Sequence, residues 1–105
     1  MALFDQVKRK LNITWSDEDT DGRVTDVMES VAPALKHRLG ITDPEFDFSQ
    51  AGMENVLFLN LCLYEWNHSA NEFWDNYADD IATCQAIHDV AYYKAHGGGS
   101  DAEST

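Results

Sequence analysis

The feature that most constrains the fold is the segment 53–66, whose apolar residues occur almost all the way round a helix. They are Val56, Leu57, Phe58, Leu59, Leu61, Cys62, Leu63, Tyr64 and Trp66. A helix of this kind is normally buried on several sides. A chain of 105 residues has few other elements with which to surround it. We therefore expect part of this helix to be covered by other subunits.

The helix that contains this segment is predicted to begin at Ser49 or Gln50, and further helices are predicted on both sides of it. Apolar residues recur at helical spacing over 3–11 and again from Ala70 to Lys94, and the short turn at 67–69 predicts an antiparallel hairpin with the 53–66 helix. No segment alternates as a strand does. The sequence therefore predicts an all-α fold, a small bundle of about four helices within residues 1–96. Residues 97–105, GGGSDAEST, are predicted to form a flexible tail, and whether this tail is native is open.

A long helix is predicted between the first helix and residue 40. Ser16 can act as its N-cap, with Asp19 in the capping-box position three residues later. Gly40 is suited to end it in a left-handed conformation. Pro33 removes one backbone donor, so we expect it to kink or split the helix. The loop that follows Gly40 has no period.

The segment DEDTDG, residues 17–22, partly matches a calcium-binding loop. Asp17, Asp19, Asp21 and Gly22 stand at the first, third, fifth and sixth positions of such a loop. The twelfth position should supply a bidentate glutamate, but Met28 stands there. An acidic helix start explains the same residues without a metal, and it is the interpretation we favour over a calcium sensor.

No arrangement typical of catalysis is visible in the sequence. Cys62 and Cys84 each lie within a helical pattern without a short-spaced Cys/His set, so buried reduced thiols are expected and a disulfide or zinc site is not. His88 lies on an apolar face and is expected to be a core or interface histidine. No nucleophile elbow or phosphate-binding loop occurs. We therefore predict neither enzymatic activity nor a cofactor or metal.

The acidic charge limits the partners. The formal net charge of −12 argues against nonspecific binding to nucleic-acid phosphates and against docking on anionic lipid. No apolar run is long enough to cross a membrane. The charge is compatible with plain solubility, with repulsion of a passing polyanion, or with mimicry of one.

Several segments together resemble the small head-tail connector, or head-completion, proteins of long-tailed bacteriophages and prophages. The resemblance covers roughly residues 2–93. It rests on the order and spacing of LFDQVKRKLNIT, SDEDTD, LKHRLGI, LCLYEWN and NEFWDNYADDI. Its most characteristic part is an apolar helix ending in Tyr-x-Trp-Asn followed by Phe-x-x-x-Tyr.

This resemblance implies a structural virion protein without catalysis or cofactor. Such a subunit forms a ring of about a dozen copies under the portal, extends the DNA channel and offers a docking platform to a neck or tail-completion protein. DNA would pass through the channel without specific binding. The protein would be in the host cytoplasm during assembly and in the neck of the virion afterwards.

A ring needs two different patches on each subunit. We expect the hairpin to supply one patch and the opening helix to supply the other or to dock on the portal, because aromatic residues are enriched at interfaces. The predicted interface residues are Leu3, Phe4, Val7, Tyr64, Trp66, Phe73, Trp74, Tyr77, Tyr92 and Tyr93. The competing hypothesis is an acidic DNA mimic that inhibits a nucleic-acid-processing enzyme.

Overall fold

The computed structural model describes residues 2–43 and 45–95, and in these ranges all regular structure is helical. The helices are α1 (Leu3–Lys10), α2 (Glu18–Leu39), α3 (Met53–Trp66), α4 (Ala70–Asn76) and α5 (Ala78–Ala95). The predicted all-α class is confirmed. The predicted flexible tail, residues 97–105, lies outside the described residues.

The start of α2 lies one residue later than the sequence predicted. Asp17, not Ser16, has the extended cap conformation, and its carboxylate accepts a hydrogen bond from the Thr20 backbone N–H at 3.1 Å. The Ser16 prediction is therefore wrong. Both residue types are good caps, and the carboxylate of Asp17 also favours the positive end of the helix dipole. At the other end Gly40 has φ 72°, which confirms the predicted left-handed stop.

Pro33 does not split α2, which runs unbroken from Glu18 to Leu39. Proline removes only one helical hydrogen bond. Val31 and Leu35 on either side of it are 3% and 0% exposed. Burial of apolar residues on both sides of Pro33 stabilises the continuous helix against that loss.

The calcium-loop hypothesis is wrong. A calcium-binding loop requires its ligands to wrap round the ion in non-helical conformations. Residues from Glu18 onward already belong to α2, and the Asp17 carboxylate accepts the capping hydrogen bond. The acidic first turn formed by Glu18, Asp19 and Asp21 complements the helix dipole, as the alternative interpretation predicted.

The C-terminal helix predicted as one element is two. Tyr77, with φ −110° and ψ 17°, separates α4 from α5. The residues around it favour a break, since Asn and Asp are weak helix formers in helix interiors. Asp79 and Asp80 then occupy the first turn of α5, where carboxylates are favourable.

Helix α3 is the centre of the molecule and packs against each of the other four helices. Tyr64 near its end meets Tyr77 before α5, with ring centroids 6.0 Å apart. Glu54 near its start meets His88, well along α5, at 2.8 Å. These pairs run in opposite directions along the two helices, so the predicted antiparallel hairpin is present.

The core lies on one side of α3. Leu57, Phe58, Leu61 and Cys62 from this helix are at most 1% exposed. The loop before α3 adds Phe48, which stacks on Phe58 with centroids 4.8 Å apart. The other buried hydrophobic residues are Val7, Ile13, Val24, Val31, Leu35, Leu39, Phe73, Ile81 and Cys84. In the described part of the chain, no helix has both the length and the apolar character that a membrane span requires.

Candidate subunit interface

The opening helix contributes less free surface than the sequence predicted. Val7 is fully buried, so its assignment to an interface is wrong: it lies on the inner side of α1, in the core. Leu3 and Phe4 are half-buried and pack against that core. The Lys8 ammonium lies 5.6 Å from the centre of the Phe4 ring and covers part of it. Only part of the Leu3 and Phe4 side chains is therefore accessible to a partner.

The aromatic residues of the hairpin form a cluster around Phe73. Phe73 is fully buried, and its ring stacks on Tyr77 with centroids 4.8 Å apart. Tyr64 and Trp74 meet the Phe73 ring edge-on at 5.8 and 5.1 Å. The assignment of Phe73 to an interface is therefore wrong, because its neighbours enclose it. Tyr64, Trp74 and Tyr77 are half-buried around it and remain candidates.

Two arginines from α2 cover the tryptophans of the predicted interface. The Arg23 guanidinium lies 4.5 Å from the centre of the Trp66 ring, and that of Arg38 lies 4.4 Å from Trp74. Such cation–π contacts hold the rings against the subunit. An interface that used Trp66 or Trp74 would therefore also contact these cations. Tyr92 and Tyr93 lie outside the residues whose side chains the structure describes.

The most exposed aliphatic residues among the described side chains lie outside the set of interface residues that the sequence predicted. Val56 and Met53 on α3 are 52% and 39% exposed, and Ile87 and Val90 on α5 are 58% and 55% exposed. We call these four residues the aliphatic surface. Scattered exposed aliphatic residues are normal, but these lie in pairs three residues apart, one turn along their helices. The α3 pair lies on the side of α3 that faces away from the core, as the all-round apolar pattern predicted.

A shallow hollow lies between α3 and α5, and Met53 and Val56 of the aliphatic surface line part of it. It has a volume of about 370 Å³. Ile87 follows Asp80 by seven residues, so it lies on the same side of α5 as the hollow. The hollow is lined by Met53, Val56, Leu57, Tyr77 and Asp80. It is open and mostly apolar, which suits a side chain of a protein partner better than a polar small molecule.

Exposed acidic side chains occur along much of the described chain, and they are dense in two places. One group lies at the start of α2, and the second lies on α4 and α5. The exposed members of these groups are Glu18, Asp19, Glu72, Asp75, Asp79, Asp80 and Asp89. Most of the basic residues occur at the ends of α1 and α2, where they complement the helix dipoles, and Arg23 near the start of α2 is an exception. The protein thus has both charge signs on its surface despite its acidic total.

The thiols are not suited to nucleophilic chemistry. Cys62 and Cys84 are free and buried, as predicted. Burial, together with the nearby Glu65 carboxylate, raises the pKa of Cys62 to about 12. Burial and Glu54 raise the pKa of Cys84 to about 11. Since the thiolate is the reactive form, neither residue is activated as a nucleophile.

Comparisons of the chain with protein-family models, with curated proteins and with solved structures gave no match. The resemblance to connector proteins therefore stays a prediction that rests on the sequence segments themselves. The exposure and packing of the surface residues in the structure are the independent information about function.

Proposed function

We propose that this protein is a structural subunit of a phage head-tail connector. In this proposal, copies of the chain assemble into a ring under the portal, continue the DNA channel and present a platform to a neck or tail-completion protein. The observation that carries the proposal is the aliphatic surface of Met53, Val56, Ile87 and Val90 on the two helices of the hairpin. It gives an all-helical subunit an apolar area suited to lateral packing.

The size of this surface indicates how strong the assembly would be. Fully burying an exposed Val, Ile or Met side chain contributes about 1.5–3 kcal/mol. These four side chains are already about half-buried, so together they contribute about 3–6 kcal/mol. Association costs about 4–15 kcal/mol in lost freedom and ordering. The aliphatic surface alone would thus give weak association, and assembly should depend on concentration or on a template such as the portal ring.

The charge of the subunit supports the same role. A ring of subunits that each carry −12 repels DNA phosphates, so DNA could slide through without adhering. The surface basic residues at the ends of α1 and α2 could meet the carboxylates of α4 and α5 on a neighbouring subunit, as a closed ring of identical subunits needs two unlike patches. Charge complementarity of this type sets orientation more than affinity.

The first experiment is to measure the mass of the purified protein by light scattering over a wide concentration range. We expect the mass to rise toward a ring of defined size, in solution or on an added portal ring. Ile87→Asp should reduce this association at least tenfold, because it places a charge in the apolar contact. Ala82→Asp is the matched control, since Ala82 is exposed on α5 but lies five residues before Ile87, about 140° round the helix from it.

A monomer at every concentration that no portal ring recruits would contradict the proposal. Equal loss of association in the Ile87→Asp and Ala82→Asp variants would also contradict it, because the effect would then be one of charge alone. A monomer that instead binds tightly to a nucleic-acid-processing enzyme would favour the DNA-mimic hypothesis.

A further inference from the structure

Three side chains with metal-binding atoms converge between α3 and α5. Cys84 and His88 are four residues apart on α5, so they lie on the same face of that helix. Glu54 in the first turn of α3 lies opposite them. Their ligand atoms all lie within 4.8 Å of one another, and His88 Nε2 is 2.8 Å from Glu54 Oε2. This cluster is separate from the aliphatic surface.

The cluster is buried on one side and open on the other. Cys84 is 1% exposed. The side chains of His88 and Glu54 are 18% and 25% exposed. The ring of Phe46 meets that of His88 edge-on, with centroids 5.7 Å apart, which limits the positions of the imidazole. The sulfur is therefore enclosed in protein, while water can reach the oxygen and nitrogen atoms.

We propose that Glu54, Cys84 and His88 bind one zinc ion, with a water molecule as the fourth ligand. A thiolate, an imidazole and a carboxylate are the donors that zinc takes in proteins, whereas magnesium and calcium take oxygen donors. Helix α5 supplies Cys84 and His88 at the i, i+4 spacing, and α3 supplies Glu54. The ion would join the start of α3 to the middle of α5.

The geometry needs only a small adjustment to bind the ion. Zinc bonds of about 2.0–2.3 Å place tetrahedral donors about 3.3–3.8 Å apart. The Glu54–His88 contact must widen from 2.8 Å, and all the donor atoms already lie within 4.8 Å of one another. Rotation of the partly exposed Glu54 and His88 side chains can supply this movement. The proton that zinc displaces from the Cys84 thiol passes to water.

The sequence alone does not reveal this cluster, for a definite reason. The histidines have no i, i+4 pair among themselves, and two possible donors on one helix are too few to predict a zinc site. The mixed pair Cys84 and His88 has the helical spacing, but the third donor, Glu54, is 30 residues away from Cys84 in the sequence. Only the antiparallel packing of α3 on α5 brings the three together.

Titration of the metal-free full chain with Co²⁺ tests the proposal. Cobalt in a tetrahedral site with a thiolate ligand gives strong visible bands and a thiolate-to-metal charge-transfer band. We expect these bands to saturate at one equivalent and to disappear when zinc is added. Cys84→Ser should abolish the charge-transfer band. The matched control is Cys62→Ser, which alters the other buried thiol, on α3, and should leave the band unchanged.

Thermal unfolding provides a second readout. Zinc at about 100 times its dissociation constant should raise the Tm of the native chain and of Cys62→Ser by roughly 10 °C or more. His88→Gln should reduce the rise at the same zinc concentration, and it covers the case in which Cys84→Ser fails to fold. Absence of the charge-transfer band at excess cobalt, or its persistence in folded Cys84→Ser, would overturn the proposal. So would its loss in folded Cys62→Ser.

Discussion

Replacing Phe73 by alanine is the sharpest test of how the hairpin is packed. Phe73 is fully buried, and truncation of a buried Phe to Ala costs about 3–5 kcal/mol. Its stacked contact with Tyr77 and its edge contacts with Tyr64 and Trp74 are lost as well. The truncation cost already includes such contacts, and since aromatic pairs contribute about 0.5–1.5 kcal/mol each, we expect a loss in the upper part of that range, about 4–5 kcal/mol, in the free energy of unfolding. Domains of this size have about 5–15 kcal/mol in total.

Urea unfolding followed by far-UV circular dichroism measures this loss. The midpoint should fall while the slope stays constant, because the surface exposed on unfolding changes little. Phe73→Leu is the control, since it loses the ring contacts but keeps most of the apolar volume, and it should cost clearly less than Phe73→Ala. The measurement is repeated at several protein concentrations, because assembly adds to apparent stability.

The result would also separate a core role from an interface role for Phe73. A loss below about 1.5 kcal/mol for Phe73→Ala, together with a lower assembly mass, would refute the placement of Phe73 in the core. Phe73 would then be an interface residue, as the sequence predicted, and its assignment to the core would be wrong.

The remaining predictions concern single positions in the subunit. Asp17→Ala should destabilise the protein by about 1 kcal/mol through loss of the α2 cap, whereas Ser16→Ala should change the midpoint of urea unfolding very little. Gly40→Ala should lower the free energy of unfolding by about 1–2 kcal/mol, because φ is 72° and the added Cβ would lie 3.3 Å from Asp89 Oδ1. Thermal unfolding measures this loss, and an unchanged Tm would contradict the left-handed stop. Cys62, with its pKa raised to about 12, should resist iodoacetamide at pH 8 in the folded chain and react once the chain is unfolded. Mass spectrometry of the labelled peptide measures both rates, and equal rates in the folded and unfolded chain would contradict the prediction.

Helix positions could be predicted well where one periodic signal dominates. The end of α3 at Trp66 and the glycine stop of α2 both follow from residue type and spacing, and the structure has them where the pattern placed them. The start of α3 at Met53 lies later than the predicted start at Ser49 or Gln50, so that prediction is wrong. The break at Tyr77 could not be predicted in this way. Phe73, Tyr77 and Ile81 continue the same apolar stripe on both sides of it, so the period is identical with or without the break.

The division between core and interface was harder to predict than the helices themselves. In a helix that is apolar all round, the pattern does not say which side packs inward, so Val56 on the outside and Phe58 on the inside look alike in sequence. Aromatic content pointed to Phe73 as an interface residue, although large rings are as frequent in cores. Only tertiary contacts distinguish the two, because burial depends on what lies opposite.

Pro33 gives α2 a property that its unbroken shape conceals. Because proline has no N–H, the carbonyl of Glu29 receives no helical hydrogen bond from it. The hydrogen-bond ladder of this single helix is therefore weakened at one level, with the Asp17 cap at one end and the Gly40 stop at the other. If α2 is bent under load, we expect the bending to concentrate at that level rather than to spread evenly along the helix.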